Sequence, residues 1–408
     1  MDFIINDKNI TKQNISKKGN SKKIKFTSKN KKISLIRKNS KVINIMIFEI
    51  ISISLIKAIF SEYYMKIKVN KIGYNQIISD YYNGALPSKV LINGLYGLPI
   101  LMRNKKVNIE STNDVIYLIW SNDNISPSYM FNNITSITSV NIYMHVSGNI
   151  SYMFYNCKNL ETFTYEKSYD KKYPILDMRG MFYNCYSLKS LNLSNFYLNL
   201  FINRTYTYYD NTTGQDETLY DYYDDLNLSF MFYNCRNLNL ISFGSNDVAE
   251  VIDMKSMFYN CYSLISLNIS RILTNDKVVD LSYMFYNCSS LETITRERID
   301  SDFGGLDSNN IYAKDMQYMF YNCKALSEIK LDYLRSNTYI TIFRLFYNCN
   351  NLEKLDWNFN NLYINDAREV FYNCNSLKSL IFYPNGTITC INMTKMFYDC
   401  TGLQTYSQ

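Results

Sequence analysis

MFYNCYSLKSLNLSNF, residues 181–196, and MFYNCYSLISLNIS, residues 257–270, are two copies of one phrase, and the chain is organised around its recurrence. The phrase opens at Met153, Met181, Met231, Met257, Met284, Met319, Leu345, Val370 and Met396, with a degenerate copy, MFNNITSI, at Met130. Successive openings lie 23, 28, 50, 26, 27, 35, 26, 25 and 26 residues apart. A period in the twenties marks one supersecondary unit stacked on itself.

Counted from the cysteine, an apolar residue follows three positions later at Leu160, Leu188, Leu238, Leu264, Leu291, Leu326, Leu352, Leu377 and Leu403. The next apolar positions alternate with polar ones, as in Leu191 and Leu193, Leu267 and Ile269, Ile329 and Leu331, Leu355 and Trp357, and Leu380 and Phe382. Alternation with period two is that of a half-buried strand, so one strand per unit is expected. Upstream, Met178 precedes Met181, Met254 precedes Met257 and Leu281 precedes Met284 by three residues, a spacing that predicts a turn of 3₁₀ or α-helix. The fold class read from this pattern is an α/β solenoid. It is a leucine-rich-repeat horseshoe of short parallel strands and 3₁₀/helical turns, whose units run to about 20 to 29 residues. A single unit cannot bury its own apolar face; stacked neighbours bury it from both sides.

The net charge of +7 is misleading as a whole-chain property. Residues 1–45 hold thirteen Lys or Arg against Asp2 and Asp7, a balance of +11, which leaves about −4 on the other 363 residues. The repeats are therefore not a basic surface for nucleic acid. Residues 1–42 lack apolar periodicity and read as a disordered basic leader. Residues 43–61 contain the apolar run INIMIFEIISISLIKAIF, interrupted by Glu49 and Lys57. Three readings of it stand open: a signal peptide starting at Met46 and cut after Ser61, a signal anchor with the leader on the cytoplasmic side, and the core helix of a cytosolic protein. The first two allow membrane association through residues 43–60.

Residues 62–128 hold short β-type runs such as YYMKIKV and VIYLIW and read as a small β-rich N-terminal cap on the array, which fills 129–408. Insertions near 197–228 and 296–314 account for the two long steps. The first carries Asp210, Asp216, Glu217, Asp221, Asp224 and Asp225 without calcium-loop order, and reads as a solvated acidic loop. The array stops mid-unit at TGLQTYSQ. Either a partner covers that last strand, self-association through an open C-terminal rung included, or the chain is truncated.

Units of the form MFYNCxxLxxLxLSxF, followed by VxDMxxMF, resemble the BspA-like leucine-rich-repeat surface proteins of bacteria and protists over residues 130–408. The resemblance implies a right-handed parallel solenoid, a secreted or cell-surface location, and adhesion or recognition. It supplies no ligand, because fold alone does not set function.

Nine of the ten cysteines share one slot: Cys157, Cys185, Cys235, Cys261, Cys288, Cys323, Cys349, Cys374 and Cys400. Their Cβ vectors would run parallel up a ladder, so buried thiols are expected in place of disulfides. With one histidine, His145, and no CxxC, neither a zinc site nor a His-based catalytic pair is expected, and no cofactor is called for. Tyr155, Tyr183, Tyr233, Tyr259, Tyr286, Tyr321, Tyr347, Tyr372 and Tyr398 make a column that either stacks on itself or engages glycan or protein. Asn156, Asn184, Asn234, Asn260, Asn287, Asn322, Asn348 and Asn373 form its neighbour and are expected to satisfy turn backbone groups. Sequons at Asn124, Asn133, Asn149, Asn192, Asn211, Asn268 and Asn392 fit secretion but arise readily by chance in so Asn-rich a chain.

Candidate ligand-binding residues are the outward strand positions: Ser190, Asn192, Ser194; Ser266, Asn268, Ser270; Thr293, Thr295; Glu328, Lys330, Asp332; Lys354, Asp356, Asn358. They predict a non-enzymatic secreted or surface recognition protein that binds a protein or glycan along a broad polar face. The alternative is an intracellular leucine-rich-repeat scaffold.

Overall fold

The computed structural model describes residues 63–94, 99–122, 124–166, 175–196, 204–210, 215–221, 226–243, 249–269, 272–273, 278–295, 311–331, 334–336, 338–357, 363–382 and 389–403. The leader and the apolar run at 43–60 lie outside them, as do Ser270, Asp332 and Asn358. The array is a β-solenoid of stacked parallel strands, and among the described residues there is no helix. The α/β class and the 3₁₀/helical turns inferred from spacing are thereby corrected.

The physical reason is visible in any one rung. In that opened by Met181, the N–H groups of Met181, Tyr183 and Cys185 fold back to the carbonyls of Met178, Gly180 and Phe182, each at 3.1 Å. The intervening N–H groups leave the rung: Gly180, Phe182 and Asn184 donate to the carbonyls of Ser229, Met231 and Tyr233 at 3.0, 2.9 and 2.8 Å. A 3₁₀ turn would keep every bond inside the segment and every φ negative. Here φ is +54° at Gly180 and +59° at Asn184. Those residues occupy the third place of the first and the last of these three hydrogen-bonded turns, the position where a type II turn needs φ above zero. Asparagine tolerates that region better than other non-glycine residues, which explains its fixed slot.

Each rung supplies two strands, not the one expected. Gly148–Asn149, Ile175–Asp177, Leu226–Asn227, Ala249–Asp253, Val278–Asp280 and Ile311–Asp315 form a parallel sheet on the side entering the corner. Tyr339–Thr341, Tyr363–Asp366 and Thr389–Asn392 form the corresponding sheet in the last rungs. Beyond the corner run Ser190–Asn192 with Leu240–Ser242, Ser266–Asn268 with Thr293–Thr295, and Glu328–Lys330 with Lys354–Trp357 and Ser379–Phe382, all parallel.

Between the sheets, Phe131, Phe154, Phe182, Phe232, Phe258, Phe285, Phe320, Phe346 and Phe371 are buried and stack rung on rung at 5.1–5.8 Å. Each such side chain contributes on the order of 1.5–3 kcal/mol of burial, and none could do so without the neighbouring rung.

At the N-terminal end, Tyr63–Val69 pairs antiparallel with Ile116–Trp120 and with Ile137–Tyr143, the strand of the degenerate Met130 unit. Ile137–Tyr143 pairs in parallel with Thr162–Tyr165 on its other side. The free edge of the first rung is thus paired within the chain, and Met65, Ile67, Ile116, Leu118 and Trp120 carry the core across it. The acidic insertion, read from the sequence as a solvated loop, contains a hairpin, Arg204–Asp210 against Gln215–Asp221. The rungs on either side of this insertion meet directly: Tyr183 and Tyr233 stack at 4.5 Å although fifty residues separate them.

Candidate functional site

The sheet beyond the corner brings together most of the residues singled out by the strand pattern. Ser190 lies opposite Leu240 and Asn192 opposite Ser242; Ser266 opposite Thr293 and Asn268 opposite Thr295; Glu328 opposite Lys354 and Lys330 opposite Asp356. All of these predicted positions are exposed except Asp356, which is half-buried. Ser194 is exposed but stands past the strand end, its N–H donating to the Asn192 side-chain oxygen at 2.9 Å. Cross-strand alternation of Glu328 with Lys354 and Lys330 with Asp356 places unlike charges side by side, the favourable arrangement on a sheet face.

Other members of this face were missed. Leu240 is 58 % exposed, Ile265 47 % and Tyr262 36 %. The ring of Tyr186 lies beneath two cations, Lys158 Nζ 5.8 Å and Arg236 4.9 Å from its centroid. Leu240 was hidden because it sits in the apolar run Leu240–Ile241, yet its place five residues after Cys235 is the outward slot held by Ser190 and Ser266 in other rungs.

The corner columns have a different job. From Tyr155 to Tyr398 the rings stack at 4.5–4.8 Å. Faces covered by one another are closed to a sugar ring; the column stabilises the ladder and presents only edges. Burial raises the phenol of Tyr233, with Tyr183 adding to the effect. Alongside, each Asn from Asn156 to Asn373 donates Nδ2–H to Oδ1 of the preceding rung's Asn at 2.6–2.9 Å, starting from Asn133. The side-chain amides pair with each other, whereas the sequence had suggested turn backbone groups as their partners.

All ten cysteines are free thiols. Each of the nine in the shared slot donates Sγ–H to the Phe carbonyl of the preceding rung at 2.9–3.2 Å. Burial pushes these thiols far up, and even the less enclosed Cys400 reaches about 11, so they are not nucleophiles. His145 is buried, its ring 6.4 Å from that of Tyr63. Among the described residues no cluster of three or more His, Cys, Asp or Glu is disposed to hold a metal ion.

On the opposite sheet a third column, Asn149, Asp177, Asn227, Asp253, Asp280, Asp315, Thr341, Asp366 and Asn392, accepts the N–H two residues onward at 2.8–3.3 Å. These side chains start the corner turn. Burial raises the carboxyls of Asp253 and Asp315, and the Asp280 charge between them raises both further.

Among curated proteins no sequence matches the chain. Two family models match: one described as "BspA type Leucine rich repeat region (6 copies)" at residues 121–212 and 310–407, and one described as "Mycoplasma protein of unknown function, DUF285" at 199–328 and 226–354. Among solved structures, the chain is similar to a leucine-rich cell surface protein of Faecalibacterium prausnitzii, with 16 % identity over 71 % of this chain and 84 % of that one at a TM-score of 0.31. It is also similar to a leucine-rich-repeat protein of Leptospira interrogans, with 12 % identity over 64 % of this chain and 61 % of that one at a TM-score of 0.29. The repeat type is carried by the matched family models and by the rung itself. Residues 121–212 and 310–407 carry leucine-rich repeats of the BspA type.

Proposed function

We propose that the chain is a non-enzymatic recognition protein, displayed on or released from the cell surface, that binds a protein or glycan along the strand face beyond the corner. What supports this reading is the division of side chains within each rung. The corner columns are spent on inter-rung contacts, whereas the strand face offers an outward row, in register, that differs from rung to rung. A row of many modest contacts suits a macromolecule; it does not suit a small substrate.

The test is a glycan and extracellular-matrix binding array probed with the full chain. Thr293→Arg on the face should abolish any signal, whereas Asp366→Asn on the opposite sheet should preserve it. Equal effects of the two would refute the face. The intracellular scaffold reading draws support from the ten free thiols, which suit a reducing compartment. Labelling of intact cells separates the two: a product reached by membrane-impermeant reagents and starting near Glu62 supports display. A full-length product sealed inside the cell supports the scaffold.

A further inference from the structure

The strand face is not uniform in charge. In the turn and strand slots of the four rungs containing Cys157, Cys185, Cys235 and Cys261, the charged residues are Lys158, Lys189, Arg236 and Glu161, a balance of +2. In the corresponding slots of the rungs containing Cys288 to Cys374, four cations meet four carboxylates, and Lys378 Nζ contacts Glu353 at 2.5 Å. The second half of the face neutralises itself; the first does not.

The unneutralised cations are also held in place. Lys158 reaches Tyr186 from the rung before and Arg236 from the rung after, so one ring orients both. A cation seated over a π face keeps its charge while losing part of its freedom, which lowers the entropy cost of meeting an anion. Among the described residues no carboxylate pairs with either. Beside them stand the exposed side chains Leu240, Tyr262 and Ile265. Leu240 lies directly opposite Ser190, and Tyr262 and Ile265 belong to the next rung. Arginine, tyrosine and aliphatic side chains around one spot are the composition of an interface anchor, with charge for orientation and apolar area for affinity.

We infer that these four rungs form a docking site for an acidic segment of a partner protein that also carries an apolar anchor residue. The inference rests on the strand face being the binding face. A sulfated glycan would satisfy the cations but would leave Leu240 and Ile265 facing polar groups, so a peptide fits both halves of the patch.

The test uses fluorescence anisotropy of the full chain with three labelled probes: a twelve-residue peptide alternating Glu and Leu, its Lys–Leu counterpart, and a heparin fragment. The Glu–Leu peptide should bind and weaken with added salt. Arg236→Gln and Leu240→Ser should each weaken it about five- to tenfold, in line with loss of one interface anchor, while Asp366→Asn on the opposite sheet should leave it unchanged. Both substitutions alter exposed side chains, and an unchanged thermal midpoint confirms that the fold is intact. Failure of the Glu–Leu peptide to bind, equal binding of the Lys–Leu peptide, or heparin binding in its place would overturn the site. If Thr293→Arg abolishes binding while Arg236→Gln and Leu240→Ser do not, the face survives and this site falls. If none of the three matters, both fall.

Discussion

Replacing Asn260 separates the two roles that the corner asparagines combine. Its Nδ2–H donates to Asn234 Oδ1 at 2.8 Å, and its own Oδ1 accepts from Asn287 at 2.9 Å. Its backbone has φ of +58°. Asn260→Gly deletes both side-chain bonds and leaves the backbone at ease; at about 0.5–1.5 kcal/mol per bond, the expected loss is roughly 1–3 kcal/mol. Asn260→Ala deletes the same bonds and also places a Cβ in the left-handed region, which adds about 1–2 kcal/mol. The alanine variant should therefore be less stable than the glycine variant, reversing the order found at an ordinary strand or helix position. Urea unfolding of the full chain, followed by near-ultraviolet circular dichroism of the stacked tyrosines, reads both values. Equal midpoints for the two variants would show that the left-handed backbone carries no cost. A glycine variant as stable as the parent would show that the amide ladder contributes nothing.

Three further outcomes follow from the same columns. In the last rung Asp399 holds the asparagine slot with φ of +61° and has no amide to offer Asn373, so Asp399→Asn should extend the ladder. It should stabilise that rung by about 0.5–1.5 kcal/mol, read by slower amide hydrogen exchange across residues 389–403. A thiol reagent should find ten cysteines in denaturant but react readily in the native protein only at the partly exposed Cys390, outside the ladder; a denatured count near zero would mean disulfides and would refute the thiol ladder. Asp253 and Asp315 bind their protons more tightly when folded than at the ordinary value of 3.8, so their contribution to stability is complete below that pH and fades as pH rises through the folded value. Asp253→Asn, the residue already present at Asn149, Asn227 and Asn392, should therefore raise the urea midpoint more at pH 7 than at pH 4. An equal change at the two values would refute the assignment.

The rung was legible in the sequence and its corner was not, for a definable reason. Strand alternation at Leu191 and Leu193 is a local pattern, and both side chains are buried as that pattern requires. The three-residue step from Met178 to Met181 is equally local, but it is shared by a 3₁₀ turn and by successive type II turns, because both close with a bond from residue i to residue i+3. What separates them is where the intervening N–H groups go. Phe182 donates to Met231, fifty residues away, and no window of the sequence contains that fact. The recurrent asparagine was a usable signal, since a residue that tolerates positive φ and weakens helices argued for a turn. On the strand face the slot rule found Ser190, Ser266 and Thr293, but Leu240 breaks the polar pattern of that slot and merges with the apolar run Leu240–Ile241. The cations over Tyr186 come from different rungs, so their convergence needed the stacked structure.

The recurrence inside the chain also shows where specificity can reside. A slot that makes contacts to both neighbouring rungs cannot change in one rung without a cost in two, so Phe182, Asn184 and Cys185 repeat as Phe258, Asn260 and Cys261. The fifth residue after the cysteine is exposed at Ser190, Leu240, Ser266, Thr293 and Glu328, and most of the seventh positions are exposed with it, so these slots are far less constrained. They read Ser and Asn after Cys185, Leu and Ser after Cys235, Thr and Thr after Cys288, and Glu and Lys after Cys323. Information about a partner is therefore confined to slots whose alteration leaves the ladder standing. By that reasoning, exchanging Ser190 and Ser266 for the Glu that holds the same slot in the Cys323 rung should leave the unfolding midpoint within about 0.5 kcal/mol of the parent. The same exchange should change which probes bind; a large loss of stability would instead place those side chains in the ladder's own support.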